Sequence, residues 1–166
     1  MKKENRTGLI AYVTVGFPEI NATLELVPAI VAAGADVIEL GVPFSDPLAD
    51  GATIQHASQV ALDNGVTLNT CLRTAKSLRE KGLVVPLILM GYYNPVLAYG
   101  LEKFARDAEE AGVDGLIVPD LPPEEASPVL EACQAHGVNV VFLLAPTSTA
   151  PRIEMVSRAG SGFLYC

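Results

Sequence analysis

Three times in this chain a helix-like stretch ends on the same four-residue joint. The joints are Ala33-Gly34-Ala35-Asp36, Ala111-Gly112-Val113-Asp114 and His136-Gly137-Val138-Asn139. A glycine just past an apolar helical stripe is a stop signal, because it takes the left-handed conformation that closes the last turn. Each joint leads into a short apolar, β-branched run. Strands and helices therefore alternate at roughly 25-residue intervals, with one double-helix gap, which is the order that builds a parallel sheet or barrel.

Taken in order, the predicted strands are Gly8 to Gly16, the run opening the stretch Asp36 to Thr53, Pro86 to Met90, Gly115 to Val118, Val138 to Leu144, and a sixth beginning at Gly162 to Tyr165. Asn21 to Ala33 reads as a helix in which Pro28 marks either a kink or a late start. A second helix runs from about Thr53 to Leu62 and stops at Asn64-Gly65. Asn69 reads as the N-cap of a third, with Leu72, Ala75 and Leu78 inward and Lys81-Gly82 at its end. Gly91-Tyr92-Tyr93-Asn94-Pro95 reads as a loop, and Leu101, Phe104, Ala105 and Ala108 as the next helical stripe. Glu124 and Glu125 suit the positive end of a helix running to Ala135. Thr149 and Pro151 open a last helix through Val156.

A chain of 166 residues and 17.5 kDa is one domain by size, spanning 1–166. It is 50% hydrophobic and 18% charged, so it has the material for a core. A net charge of -8 argues against nucleic acid or an anionic membrane surface as partner. No apolar run approaches the roughly 20 residues that span a bilayer, and Met1 to Arg6 lacks a signal peptide's apolar region, so the cytoplasm is the expected compartment. Cys71, Cys133 and Cys166 are odd in number and far apart, fitting neither a disulfide framework nor a metal site. Cys71 and Cys133 read as buried packing, and His56 and His136 fall outside metal-ligand spacing.

Polar and special residues collect just after the strands, at Glu39 to Asp50, Tyr92 to Pro95 and Asp120 to Pro123. The C-terminal edge of a parallel sheet is where such folds keep their sites. Within Asp36 to Thr53, Glu39 interrupts the apolar strand Val37, Ile38, Leu40, Val42, and a carboxylate there needs a partner or a purpose. Asp50-Gly51 sits at the tip of the following loop. Singly, Glu39 is as readily a structural ion-pair member, and Asp50-Gly51 a turn. Together they bring two carboxylates from different supports to one cleft, an arrangement suited to acid–base chemistry.

The whole segment Glu39-Leu40-Gly41-Val42-Pro43-Phe44-Ser45-Asp46-Pro47-Leu48-Ala49-Asp50-Gly51, followed by Thr53-Ile54-Gln55, resembles the signature of the tryptophan synthase alpha chain family. The resemblance extends from about Leu9 to Cys166. It implies a parallel (β/α)8 TIM barrel, represented here by about six β/α units and therefore incomplete. An N-terminal plugging helix and the last two strands with their phosphate loops have no counterpart, so the chain is expected to be truncated at its C-terminus, inactive and poorly folded alone. The family cleaves indole-3-glycerol phosphate to indole and glyceraldehyde 3-phosphate, late in tryptophan biosynthesis, without a metal or cofactor. By match to the family pattern, Glu39 is the acid–base catalyst and Asp50 the acceptor of the indole N–H. Tyr12, Met90, Tyr92, Ile117, Leu143 and Tyr165 line the indole slot, with plain barrel packing as the competing reading for each, above all for Met90, Ile117 and Leu143. Asp120 belongs to the same rim. The implied partner is a beta chain carrying pyridoxal phosphate, in an alpha2-beta2 heterotetramer, approached by Asp46 to Asp50 and Tyr92 to Pro95. The competing functional reading is a barrel fragment that docks on the beta chain without doing chemistry.

Overall fold

The computed structural model describes residues 6–166. Within them the elements run β1 (Ile10–Thr14), α1 (Thr23–Ala32), β2 (Val37–Gly41), α2 (Ala52–Asp63), α3 (Leu68–Glu80), β3 (Leu87–Met90), α4 (Tyr93–Tyr99), α5 (Leu101–Glu110), β4 (Gly115–Ile117), α6 (Ser127–Ala135), β5 (Asn139–Val141) and α7 (Ala150–Ala159). The five strands form one sheet in the order β1-β2-β3-β4-β5, every pair parallel. This is part of the expected barrel wall.

The repeated joints make that order. Gly34, Gly112 and Gly137 all adopt positive φ, at 112°, 73° and 67°. The residue after each glycine closes the helix end, as in Val113 N–H to Ala108 O at 2.9 Å and Val138 N–H to Cys133 O at 2.9 Å. The fourth residue of each joint then clamps the neighbouring strand. Asp36 Oδ2 accepts from Leu9 N–H at 2.8 Å, Asp114 Oδ2 accepts from Leu87 N–H at 2.7 Å, and Asn139 Nδ2 donates to Asp114 O at 2.9 Å. Two guanidiniums complete the clamps. Arg6 pairs with Asp36 and holds its carboxyl well below the usual carboxylate range. Arg79 bonds Asp114 and the carbonyls of Gly112, Leu83 and Val85.

Five local expectations are settled or corrected by tertiary contacts. The sixth strand is reduced to one parallel bridge, Leu143 to Tyr165, with Leu144 N–H on Tyr165 O at 2.7 Å. Gly91 to Pro95 is not a loop throughout: α4 begins at Tyr93, whose N–H donates to Asp120 Oδ1 at 2.9 Å. Pro95 falls in the first turn, where a missing N–H costs nothing. Pro28 lies well inside α1, so the late start is excluded. The Leu24 carbonyl that it leaves without a helical donor accepts from Lys81 Nζ at 3.5 Å. The helix of Glu124 and Glu125 starts later than expected, at Ser127. The pair of prolines before it holds a turn closed by Glu125 N–H on Pro122 O, and Glu124 pairs with Arg152 of α7.

Asn69 is not the cap of α3. Thr67 is, in a reciprocal capping box with Thr70. Thr67→Ala should therefore lower stability by about 1 kcal/mol, read as a shift in the urea midpoint, whereas Asn69→Ala should be nearly silent. Equal losses at the two positions would refute the assignment.

The sheet divides the apolar residues in two. Its outer face, with Ile38, Leu40, Leu87, Leu89, Leu116 and Val140, packs under the helices against Val27, Leu78, Phe104, Val129 and Val156. Burial in that layer pushes the Cys71 thiol up to about 12 and the Cys133 thiol up to about 11, so both stay uncharged packing groups. The inner face carries a separate small cluster, Val37, Ile88, Ile117 and Val141, edged by Met90, Leu143, Phe163 and Tyr165.

Candidate active site

Register partners in a parallel sheet share a face. Tyr12 pairs with Glu39 and Glu39 with Ile88; one row higher, Thr14, Gly41, Met90, Ile117 and Val141 are aligned. The inner face thus gathers Tyr12, Glu39, Met90 and Ile117, and the bridge adds Leu143 and Tyr165. These residues come from distant parts of the chain. Asp50 and Tyr92 do not lie in these rows; they stand above them, in the β2–α2 loop and at the start of α4.

Glu39 is only 4% exposed. Its Oε1 is fully buried and has no hydrogen-bond partner among the described residues. Burial raises its pKa above the usual carboxylate range, so the neutral acid is favoured over what water would allow. It opens on a cleft of about 360 Å³, lined also by Ile10, Tyr12, Phe163, Leu164 and Tyr165. The phenol of Tyr12 lies across Gly41 so closely that a Cβ there would sit 2.0 Å from its hydroxyl oxygen. Glycine at 41 leaves that space to the tyrosine, and a side chain there would displace the phenol.

Asp50 is held rather than loose. Tyr92 OH donates to Asp50 Oδ2 at 3.1 Å and accepts from Ala49 N–H at 2.9 Å. Gln55 Nε2 donates to the Asp50 carbonyl at 2.9 Å, and the Tyr92 ring lies against Phe44 with centroids 5.3 Å apart. Tyr92 therefore spends its hydroxyl on the loop. Asp120 spends a carboxyl oxygen on the start of α4, so it organises the rim. Sequence reasoning passed over Phe163, Thr14, Gln55 and Phe44. The first could have been found by the alternation with Tyr165, since residues two apart share a face; the others carry no local signal.

A buried carboxyl with a raised pKa at the floor of an aromatic cleft, with a second carboxyl group fixed at its rim, can give and retake a proton on a flat apolar ligand while the upper group receives an N–H or positive charge.

The sequence profile of one family, described as tryptophan synthase alpha chain, matches residues 1–166. The tryptophan synthase alpha chain of Roseiflexus sp. (strain RS-1) is 55% identical over 166 residues, which are 100% of this chain and 64% of that protein. Among solved structures, tryptophan synthase subunit alpha from Legionella pneumophila superposes with a TM-score of 0.96 at 41% identity, over 99% of this chain and 63% of that one. A chain of the tryptophan synthase complex from Pyrococcus furiosus superposes with a TM-score of 0.90 at 39% identity, over 95% of this chain and 65% of that one. The chain thus spans a little under two thirds of the length of these relatives.

Proposed function

The chain belongs to the tryptophan synthase alpha chain family, and on that premise we propose that its inner face cleaves indole-3-glycerol phosphate to indole and glyceraldehyde 3-phosphate. The observation that carries this reading is the buried, unpartnered carboxyl of Glu39 in a cleft of aromatic and apolar walls. Glu39 delivers its proton to the ring carbon that bears the side chain. The carbon–carbon bond then breaks, the side-chain hydroxyl becomes the aldehyde, and the carboxylate takes back the proton. Asp50 receives the indole N–H and stabilises the positive charge that develops at the ring nitrogen. Tyr12, Met90, Ile117, Leu143 and Tyr165 form the walls of the indole slot, and Tyr92 sets the loop that brings Asp50 over it.

Residues 1–166 act as one β/α domain in the cytoplasm, with a beta chain as partner in an alpha2-beta2 assembly. Pyridoxal phosphate belongs to that beta chain, and the cleavage by the alpha chain uses neither a metal nor a cofactor. Among the described residues no helix is long and apolar enough to cross a membrane. The loop holding Asp46 and Asp50 and the start of α4 form the docking rim, and docking fixes the loop and expels water from the slot.

The test is indole release from indole-3-glycerol phosphate, with and without a beta chain of the same family. Release that rises on adding the beta chain supports the reading. Tight binding to the beta chain with no release would favour docking without chemistry. Asp50→Asn should lower turnover by roughly 10²-fold, with substrate still bound, and should weaken the response to the beta chain. Full turnover in that variant would leave Asp50-Gly51 as a turn only.

A further inference from the structure

The hydroxyl of Tyr12 has a proton with no assigned destination. It accepts from Thr14 Oγ1 at 3.5 Å, which uses a lone pair and leaves its own O–H free to donate. Two carboxyls lie within its field, Glu39 on the strand and Asp50 on the loop. Asp50 already receives the Tyr92 hydroxyl. Glu39 receives nothing at Oε1, although it is the register partner of Tyr12 and lines the same cleft. An unspent donor and an unpartnered buried acceptor thus share one small space. We propose that Tyr12 is a positioning residue for Glu39, its hydroxyl supplying the hydrogen bond that the carboxylate takes up once its proton has left.

The backbone supports this placement. With no side chain at Gly41, two positions beyond Glu39 on the same face of β2, the phenol fills that space, and a Cβ at 41 would meet the hydroxyl at 2.0 Å, Cζ at 2.4 Å and Cε2 at 2.9 Å. Burial and the neighbouring acids hold the phenol's pKa above its ordinary value, so it remains a neutral donor throughout the working range. Of the other groups lining the cleft, Tyr165 and Cys166 also carry a donor, and neither is the register partner of Glu39. The residues from β3 and β4 on this face, Ile88, Met90 and Ile117, carry no charge. The final segment brings Tyr165 and Cys166 to the cleft, and Asp50 and Tyr92 lie toward the rim, bonded to each other.

The consequence has a definite sign. A hydrogen bond to the charged form lowers a carboxyl's pKa, so removing the donor must raise the already elevated pKa of Glu39. The proposal rests on Glu39 being the proton shuttle only for its effect on turnover; the titration is independent of that reading. The chain labelled with carboxyl-13C glutamate is titrated by NMR, with Glu39→Gln assigning the resonance and near-UV circular dichroism checking the fold. Tyr12→Phe keeps the ring and should move the Glu39 equilibrium roughly tenfold toward the protonated form. Gly41→Ala, which pushes the hydroxyl aside, should move it in the same direction and serves should the first variant unfold. An unchanged midpoint, or one displaced downward, would show the phenol to be only a wall and overturn the proposal. In the indole assay the pH limit set by Glu39 should move with the titration. A shifted titration, with no indole released by a version extended to the length of its relatives, would sink the lyase reading and leave the hydrogen bond standing.

Discussion

In a version of the chain extended to the length of its relatives, Glu39→Gln should lower indole release by roughly 10²–10⁴-fold and at the same time make the protein more stable near neutral pH. The first effect follows from the role of the carboxyl, since an amide of nearly the same shape cannot give or retake a proton. A loss under about tenfold would end its assignment as the shuttle. The second follows from where the carboxyl sits. Its Oε1 has no hydrogen-bond partner among the described residues, and burial raises its folded-state pKa. In the unfolded chain the same group ionises at its ordinary value. Below that value both states are protonated and the residue is neutral for stability. As pH rises toward the folded pKa, the unfolded state alone loses its proton, and folding stability falls; above the folded pKa the loss is complete. Gln carries no such penalty. Thermal melts across this window should show the slope in the parent and not in the variant, and a Gln variant less stable at neutral pH would mean that the Tyr12 hydroxyl outweighs burial for the ionised carboxyl.

Phe104→Ala should be among the most destabilising single changes in the chain. The ring is 1% exposed, on the inward side of α5 in the outer core layer with Leu78, Leu116 and Val129. Emptying such a site removes the transfer energy of the ring and leaves a cavity, about 3–5 kcal/mol, a large fraction of the roughly 5–15 kcal/mol that holds a domain of this size. Urea unfolding should show a much lower midpoint with an unchanged slope. Leu48→Ala is the control: Leu48 is 84% exposed, and its truncation should stay within about 0.5 kcal/mol. A loss at Phe104 no larger than at Leu48 would mean that the layer between sheet and helices is not close-packed.

The features legible in the sequence are ones set by neighbours along the chain. The three glycine joints announced helix ends and strand starts, because a positive-φ glycine and the apolar run after it are local events. The two carboxylates were legible because Glu39 is anomalous within its own strand and Asp50 lies in a run of prolines and a glycine that neither helix nor strand continues. The family pattern carried the roles assigned to Tyr12, Met90, Tyr92, Ile117, Leu143 and Tyr165. How distant residues divide their bonds is settled instead by contacts across the fold. Asp120 was legible as a rim residue, yet that it caps α4 depends on a contact 27 positions away, as does the helix itself. Asp36 and Asp114 looked like part of a repeat, and only the fold shows them clamping the preceding strands. Tyr12 and Tyr92 are both tyrosines of the expected slot, but one lies over Gly41 beside an unpartnered acid and the other is tied to Asp50. Hydrogen bonds saturate, and the partner that uses a hydroxyl is chosen by geometry across the sheet rather than by sequence distance.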